Sequence, residues 1–341
     1  MPVPHSTAKH IAGIILPVLL VLSGATQAEQ GDDSAFLQQR SQHAFNAVFG
    51  LPTVAPRLVQ TLEWQVSMEH SNQFAGGISG AEQLRIDGET TRVSINLRQR
   101  LSSCWQVQAA VPLVSHSPGR FDRAIDDWHK FFGLPDAQRD ASSFDVLQYQ
   151  YSDEQGLHQS VLNPQSGLGD VQIAVQYALG CFATADSTRA DQMLRVGIKL
   201  PTGDPDDMLG SGGADIFADW QSPVYRIAER YNGGLALGLL IIEDTPEFVR
   251  QESAAVYGSA SVQYRLSHNL RLIAQLDGHT SFYKSGLREL GAGSINLAVG
   301  ARYLKARSYS YEFSISEDVM IDTTPDIVAR LAITYRPDQT Q

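Results

Sequence analysis

Strict alternation of apolar and polar residues runs through most of the chain beyond residue 58. The clearest case is the stretch from Ser253 to Leu276, in which the polar residues Ser267 to Asn269 join two alternating runs. Successive side chains of a β-strand point to opposite sides, so this pattern predicts a β-hairpin with one apolar and one polar face. A soluble sandwich shows the same pattern. The pattern alone therefore leaves protein or lipid as the partner of the apolar face.

Alternating runs of this kind recur in about twelve segments. Links of two to four residues, such as 102–103, 229–232 and 267–269, alternate with longer ones. Bacterial membrane barrels have an even number of strands, short periplasmic turns and longer outer loops. Lipid offers no partner for a free backbone amide, so a chain without a long apolar helix crosses a membrane only as a closed sheet. The sequence therefore predicts an all-β fold, a transmembrane antiparallel up-and-down β-barrel of about 12 strands.

The polar faces of these strands are expected to enclose a lumen. Their charges have mixed signs, which suits side chains that pack a narrow barrel as ion pairs and only secondarily select solutes. Tyrosines and tryptophans near strand ends on the apolar face suit the aromatic girdle of a membrane barrel. The predicted lumen-lining residues are Glu63, Arg98, Arg195, Asp219, Arg265, Arg271, Asp277, Arg302, Glu312 and Arg330.

One long run, residues 84–100, changes phase near Asp87 and Gly88. Past that point, Ile95 and Leu97 lie opposite the polar side chains of the run. An extra residue in one strand turns the side chains that follow to the other face, so the change of phase predicts a β-bulge.

The amino end predicts export. Lys9 and two histidines precede the apolar run 11–22, and small residues follow it, so residues 1–28 have the pattern of a signal peptide cleaved after Ala25 or Ala28. The alternative is a membrane anchor, but the run is too short to span about 30 Å of hydrocarbon. No cysteine follows the cleavage region, which argues against a lipid anchor there.

Three further boundaries follow from the pattern. Residues 29–57 show no period and carry Pro52 and Pro56. We interpret them as an irregular periplasmic N-terminal segment that either rests on the periplasmic side or reaches into the lumen. Residues 58–336 form the predicted barrel, and residues 337–341 form a tail.

The alternation stops between residues 116 and 168, which predicts a long outer loop. Within it, residues 121–132 place aromatic and apolar side chains at spacings of three and four, as in a helix. Loops of this length are usually functional or disordered, and the aromatic content favours a folded one. If it folds inward the helix would constrict the pore, and otherwise it would cap the barrel mouth. The candidate outer-loop residues are His116, Asp122, Asp126, His129 and Arg139.

The two cysteines test the predicted topology. Cys104 begins the third strand and Cys181 ends the fourth, so both fall at the periplasmic end of neighbouring strands. We predict a disulfide between them, because the periplasm is oxidising. Two unpaired thiols are the alternative.

Composition excludes some functions and leaves others open. The formal net charge is −11 and no basic cluster is present, so we expect no nucleic-acid partner. Asp204, Asp206 and Asp207 crowd one outer loop, but their spacing fits no EF-hand, and a solvated acidic loop is the favoured interpretation. No metal site and no cofactor are predicted.

A lipid hydrolase would need a nucleophile, a base and an orienting group within hydrogen-bond reach. Ser115, His116 and Ser117, or His279 and Ser281, could supply parts of such a site. No serine lies in a Gly-x-Ser-x-Gly turn, which weakens this alternative.

Seven short stretches carry a family resemblance: FGLP at 49–52, DGET at 87–90, VPLVSHS at 111–117, WHKFFGLPDAQRD at 128–140, GLGD at 167–170, LPTGD at 200–204 and GSG at 210–212. Together they resemble a family of uncharacterised bacterial outer-membrane proteins, domain of unknown function 3187. The resemblance implies a single barrel domain and no particular activity. One departure from many barrels is that residues 336–341 follow Tyr335, the last aromatic residue of the final strand.

Taken together, these patterns predict a protein of the bacterial outer membrane. The leading functional hypothesis is a channel or binding protein for small polar or lipidic solutes. The alternatives are a lipid-modifying hydrolase and a structural or adhesion scaffold. The expected partners are outer-membrane lipids, the barrel insertion machinery and a small solute.

Overall fold

A computed structural model of the chain describes residues 26–27, 34–54, 57–119, 145–179, 192–305, 308–319, 323, 325 and 327–337. These residues contain seventeen strands and one short helix, α1 (Arg288–Gly291). No helix within these ranges is long and apolar enough to cross a membrane. The strands are β1 (Thr26–Gln27), β2 (Leu62–Ser79), β3 (Glu82–Arg100), β4 (Trp105–Ser117), β5 (Gln148–Asp153), β6 (Gly156–Val161), β7 (Gln165–Leu168), β8 (Val171–Ala178), β9 (Met193–Leu200), β10 (Ile216–Gln221), β11 (Tyr225–Ala228), β12 (Tyr231–Ile241), β13 (Ala254–Arg265), β14 (Leu270–His279), β15 (Ser294–Lys305), β16 (Tyr309–Asp318) and β17 (Ile327–Tyr335).

The sheet closes on itself. The last strand, β17, pairs with β2 from Ile327 opposite Asn72 to Tyr335 opposite Trp64. The barrel wall runs β2, β3, β4, β8, β9, β10 and then β12 to β17, and β7 and β8 act as one interrupted strand because both pair with β4. The predicted antiparallel barrel of twelve strands is therefore confirmed, and closure leaves the wall without a free edge.

The two faces of the wall are inverted relative to a soluble protein. On the outward face, Val299 is 55% exposed and Leu237 is 58% exposed, whereas the inward Arg330 is 2% exposed. A continuous apolar band of this extent is unfavourable in water and is the surface that membrane barrels present to acyl chains. Of the two partners that the sequence left open, lipid therefore fits the outward face.

Aromatic side chains ring one end of the barrel on the outward face. The ring centroids of Trp105 and Tyr177 lie 4.6 Å apart, those of Tyr309 and Tyr335 4.8 Å, and those of Trp64 and Tyr335 5.7 Å. All five residues lie at the end of the barrel where the tight link 102–103 joins β3 to β4, which we call the short-turn end. Amphipathic rings favour the boundary between hydrocarbon and water, so this ring marks one membrane interface.

The predicted bulge near Gly88 is absent from the pairing of β2 with β3. Their register continues without a shift from Leu62 to Ser79 on β2. What changes is the polarity of the faces, since Leu84 and Ile86 are buried inside while Arg85 is exposed outside. Beyond the lipid the outer surface meets water, so the hairpin returns to the soluble pattern of apolar side chains inside.

Residues 116–168, predicted as one long loop, contain more regular structure than expected. β4 continues to Ser117, and β5 and β6 form a hairpin that pairs with the extension of β3. Tyr149, Tyr151 and Val161 of this hairpin are buried. The predicted helix at 121–132 lies outside the described residues.

Cys104 is buried at the short-turn end of β4 and is disulfide-bonded. The backbone N–H of Ala178, three residues before Cys181, donates to the carbonyl of Cys104 at 2.9 Å. Cys181 itself lies outside the described residues, so its pairing with Cys104 stays a prediction.

The outward face can be tested by charge insertion. We expect Val299→Arg to destabilise the protein in lipid vesicles by about 2–4 kcal/mol, because Val299 lies four residues from the girdle residue Tyr303 and near the middle of the bilayer. The control is Ile78→Arg at the tip of the β2–β3 hairpin, where a 77% exposed side chain should tolerate the charge. Urea unfolding in vesicles measures both, and equal effects would argue against a lipid-facing wall.

Thiol labelling tests the disulfide. We expect the unfolded, unreduced protein to react with no maleimide, the reduced protein with two, and unreduced Cys181→Ser with one. Mass spectrometry counts the adducts. Two adducts on the unreduced wild type would exclude the bridge.

Candidate functional site in the barrel lumen

Residues 34–54, which we call the lumen segment, lie inside the barrel. Arg302 donates to the carbonyls of Ser34 and Phe36 at the short-turn end, and the N–H of Leu37 donates to Gln275 Oε1 at 2.8 Å. Further up, the carbonyl of Phe45 accepts a hydrogen bond from Tyr283 at 2.7 Å. Of the two positions that the sequence left open for the N-terminal segment, residues 34–54 occupy the lumen.

The lumen segment passes through the barrel twice. Residues 44–48 form turns near the long-loop end, and the N–H of Gly50 then donates to Asp215 Oδ2 at 2.8 Å. On the way back, Val54 packs with Phe36 and Ala236. The segment has neither helix nor strand, so wall side chains serve its backbone groups. One example is Gln73, which accepts from the N–H of Ala44 at 2.8 Å.

Glu63 and three arginines form a cluster of ion pairs at the short-turn end of the lumen. Glu63 lies 2.6 Å from Arg98 and 3.2 Å from Arg57, and it also contacts Arg336. Removing a carboxylate from water is costly, and several charge-assisted hydrogen bonds offset that cost. Arg336 follows the last wall strand, β17, and Glu63 belongs to the first, β2. This cluster therefore also links the two strands whose pairing closes the barrel.

A second network crosses the middle of the wall. Glu312 contacts Arg302 at 2.6 Å and also Arg330, and Arg330 lies 3.4 Å from Glu69. Gln42 of the lumen segment donates to Glu69 at 2.9 Å. The segment is thus linked to charges on four neighbouring strands, β15, β16, β17 and β2.

The family-like glycine motifs converge on Asp170. This carboxylate lies 2.8 Å from Lys199 Nζ and accepts the N–H groups of Gly203 at 2.8 Å and Ser211 at 3.0 Å. A Cβ on Gly210 would lie 2.3 Å from an oxygen of Asp170, so only glycine fits there. Lys199 also lies 3.2 Å from Asp215, which holds Gly50. Sequence reasoning missed these charged residues, although the motifs GLGD, LPTGD and GSG surround them.

The structure places the sequence-predicted lumen-lining residues unevenly. Arg195 and Asp219 lie 2.7 Å apart, with Tyr257 donating to Asp219 at 2.9 Å. Asp277 is half-buried and contacts Gln39 at 3.0 Å. Arg265 is exposed at the short-turn rim. The buried ones are Glu63, Arg98, Arg195, Asp219, Arg271, Arg302, Glu312 and Arg330.

Apolar side chains fill the lumen at the long-loop end. The ring of Phe49 stacks on Phe282 at 5.4 Å and meets Tyr283 at 5.6 Å and Phe248 at 6.0 Å. Burial raises the pKa of Tyr283 well above its usual value, which keeps its hydroxyl a donor to Phe45. The tip of the lumen segment is therefore part of a small hydrophobic core that spans the mouth.

The residues predicted in the outer loop are not all there. His116 lies in β4 with its ring inside, where Nε2 donates to the carbonyl of Met208 at 3.1 Å and Nδ1 lies 2.9 Å from Thr90 Oγ1. The alternation of the sequence fades at this residue, which is why the pattern alone predicts a loop there. The other four, Asp122, Asp126, His129 and Arg139, lie outside the described residues.

In the described part of the chain, the serine and histidine candidates for a hydrolase do not form a catalytic site. His116 uses both ring nitrogens on groups other than serine. Ser281 donates to the carbonyls of Tyr283 and Leu290, and His279 Nδ1 lies 2.9 Å from the carbonyl of Thr280. A nucleophile needs a base within hydrogen-bond reach, and these candidates do not pair.

Asp204, Asp206 and Asp207 of the acidic loop are not placed together as three side-chain ligands of one metal ion. Burial, together with the charges of Asp204 and Asp206, raises the pKa of Asp207. Within the described ranges, no group of three or more His, Cys, Asp or Glu side chains is placed to hold a metal ion.

A polar chamber separates the lumen segment from the wall formed by β2, β3, β4 and β8. Arg40 and Thr53 of the segment line one side. Opposite them, inward side chains such as Asn96 and Gln172 are half-buried and remain accessible. Amides and hydroxyls predominate beside Arg40, whereas the part of the chamber beside Arg195 is also lined by Leu97, Ile173 and Phe217.

A closed wall, an apolar belt with an aromatic girdle and an enclosed polar lumen together define a β-barrel protein of the outer membrane. The chain belongs to the DUF3187 family, described as proteins of unknown function, whose model matches residues 11–336. A comparison with curated proteins found no match.

Solved structures share the architecture. The COG4313 outer membrane channel from Pseudomonas putida F1 is similar with a TM-score of 0.52 at 12% identity, over 82% of this chain and 97% of that one. The NanC porin aligns with a TM-score of 0.40 at 9% identity, over 81% and 100%. The P. putida toluene transporter TodX aligns with a TM-score of 0.39 at 10% identity, over 92% and 95%. The first likeness is one of fold, and the other two are too weak to support an argument.

Truncation at the tip of the lumen segment tests what holds it. We expect Phe49→Ala to cost about 3 kcal/mol of local stability, because it leaves a cavity in a packed core, and to speed amide exchange of residues 34–54 on the order of 100-fold. The matched control is Phe313→Ala on the lipid face, which should leave that exchange unchanged. Equal exchange in both variants would show that the mouth cluster does not retain the segment.

Proposed function

We propose that the protein is an outer-membrane channel for small polar solutes and that the lumen segment closes it. The observation that carries this proposal is the accessible polar chamber beside a segment without regular structure. Close packing leaves few voids larger than a water molecule, so a chamber lined by both the segment and the wall favours more than a packing role for these polar side chains. The segment is held by hydrogen bonds and by the apolar cluster at the mouth, and it contributes no strand to the wall, so it can leave the lumen without unfolding the wall.

The lining favours polar over lipidic solutes. Asn96, Gln108 and Gln172 supply amides along the wall of the chamber, and a hydrocarbon could not satisfy them. Apart from Phe36, the buried aromatic side chains in the described part of the chain belong to the apolar cluster that contains Phe49. A lipidic solute would have to disrupt that cluster before it reached the lumen.

Export and orientation complete the proposal. We place the short-turn end in the periplasm and the long-loop end outside, as in other bacterial barrels. The signal peptide would be removed after Ala25 or Ala28. Cleavage after Ala25 keeps β1, which pairs with β11, and cleavage after Ala28 removes it, so the mass of the mature protein distinguishes the two.

Conductance in planar bilayers tests the channel. We expect little steady current from the wild type and stepwise current from a variant that lacks residues 34–54, because the wall closes without them. The double variant Phe45→Ala and Phe49→Ala keeps the whole chain and should open intermittently. Swelling of liposomes in a small sugar measures solute entry.

The control for folding is the slower electrophoretic migration of a barrel once it is boiled. A deletion variant that folds by this measure yet passes neither current nor sugar would refute the channel and favour a scaffold.

A further inference from the structure

Two arginines, Arg40 of the lumen segment and Arg92 of the wall, donate to carbonyls of the segment and have no carboxylate at ion-pair distance among the described residues. Arg40 Nη1 donates to the carbonyl of Leu51 at 3.1 Å, and Arg92 Nη2 donates to that of Ala47 at 3.3 Å. Within the described ranges, neither guanidinium forms an ion pair within 4.0 Å. Each guanidinium has five N–H donors, so one neutral carbonyl leaves most of them unused.

The carboxylates nearest to these arginines are already engaged. Glu69 accepts from Gln42 at 2.9 Å and pairs with Arg330 at 3.4 Å. Asp170 pairs with Lys199 and accepts two backbone N–H groups. The charges on Arg40 and Arg92 also repel each other. Glu69 and Asp170 attract both arginines as well as Arg330 and Lys199, so the charge of two carboxylates is shared among four cations here.

Arg92 gives the second indication. Its side chain is 4% exposed, and its Nε is buried without a hydrogen-bond partner. A charged group in such a place is costly unless an anion or a polar ligand satisfies it. The guanidinium is suited to carboxylate and phosphate groups, because its donors match their oxygens in pairs.

The surroundings can accept the rest of a solute. Arg40 lines the polar chamber together with Ser67, Ser94 and Asn96, and the engaged carboxylates of Glu69 and Asp170 line it too. Arg92 lies two residues before Ser94 on the same inward face of β3. An anionic group held by Arg40 would thus leave its polar body among hydroxyls and an amide, with Arg92 supplying a second positive charge nearby.

We propose that Arg40 and Arg92 form an anion subsite that binds the carboxylate or phosphate group of a small polar solute. The subsite deepens the proposed function, since it makes the solute of the channel anionic. Arg40 comes from the lumen segment and Arg92 from the wall, so the subsite exists only while the segment is docked. Binding of the anion thereby stabilises the closed state by linkage.

Calorimetric titration of the refolded full-length protein tests the subsite, with inorganic phosphate, acetate and uncharged glycerol as probes at low salt. We expect saturable binding of phosphate, acetate or both, and none of glycerol. Phosphate without acetate would assign the subsite to phosphate groups, and the reverse to carboxylates. Arg40→Gln and Arg92→Gln should each weaken binding about tenfold or more, because each removes charge-assisted hydrogen bonds.

Two controls separate anion binding from a bracing role. Arg85→Gln changes an arginine that is exposed outside the wall and should leave binding unchanged. Arg92→Lys keeps the charge and should retain part of the affinity, whereas a purely structural role would show only as faster amide exchange of residues 34–54. Arg40 lies outside the wall strands, so its variant remains informative if Arg92→Gln does not fold.

Absence of saturable anion binding to the wild type, or equal affinity in the wild type and both glutamine variants, would overturn the subsite. Neither result bears on the current through the variant without residues 34–54. Conversely, anion binding by a protein whose deletion variant never conducts would leave the subsite standing and remove the channel.

Discussion

A polar surface enclosed by a closed sheet has to find its partners within the same molecule. Lipid covers the outward face of this barrel and can satisfy no backbone group, so the wall must close. Closure turns Arg98, Arg302, Arg330 and their carboxylates inward, where each charge needs an opposite charge or a dipole. The ion-pair networks and the doubly passing lumen segment both meet this requirement. The segment supplies backbone carbonyls and amides where wall side chains alone would face one another or water.

The same constraint explains why the apolar and polar faces of the wall exchange sides along the barrel axis. Within the membrane, the wall is apolar outside and polar inside. At the β2–β3 hairpin, water replaces lipid on the outer side, and the order inverts, with Leu84 and Ile86 facing inward. The polarity of the lumen segment changes along the barrel axis in the same way. Its limbs carry hydrogen bonds at the level of the polar wall, and its tip places Phe45 and Phe49 in the hydrophobic core of the mouth.

The sequence predicts the wall well and its contents poorly. A period of two survives in each wall strand because it reflects a local alternation, so strand number, direction and many inward charges could be derived from it. The change of phase near Gly88 was visible too, but the sequence cannot tell a bulge from a change of solvent. The lumen segment has no period, and its partners Gln73, Asp215 and Gln275 are far away in sequence. Asp170 and Lys199 sit among glycine motifs whose meaning depends on loops meeting in space.

The position of the lumen segment constrains how the protein is assembled. Residues 34–54 come before β2, and the seam between β2 and β17 joins the first wall strand to the last one synthesised. The segment must therefore be enclosed as the other strands gather around it, or enter as a bent loop after the seam has formed. In the first route the lumen segment acts as an internal template. A stretch without regular structure would then help to order the strands that surround it.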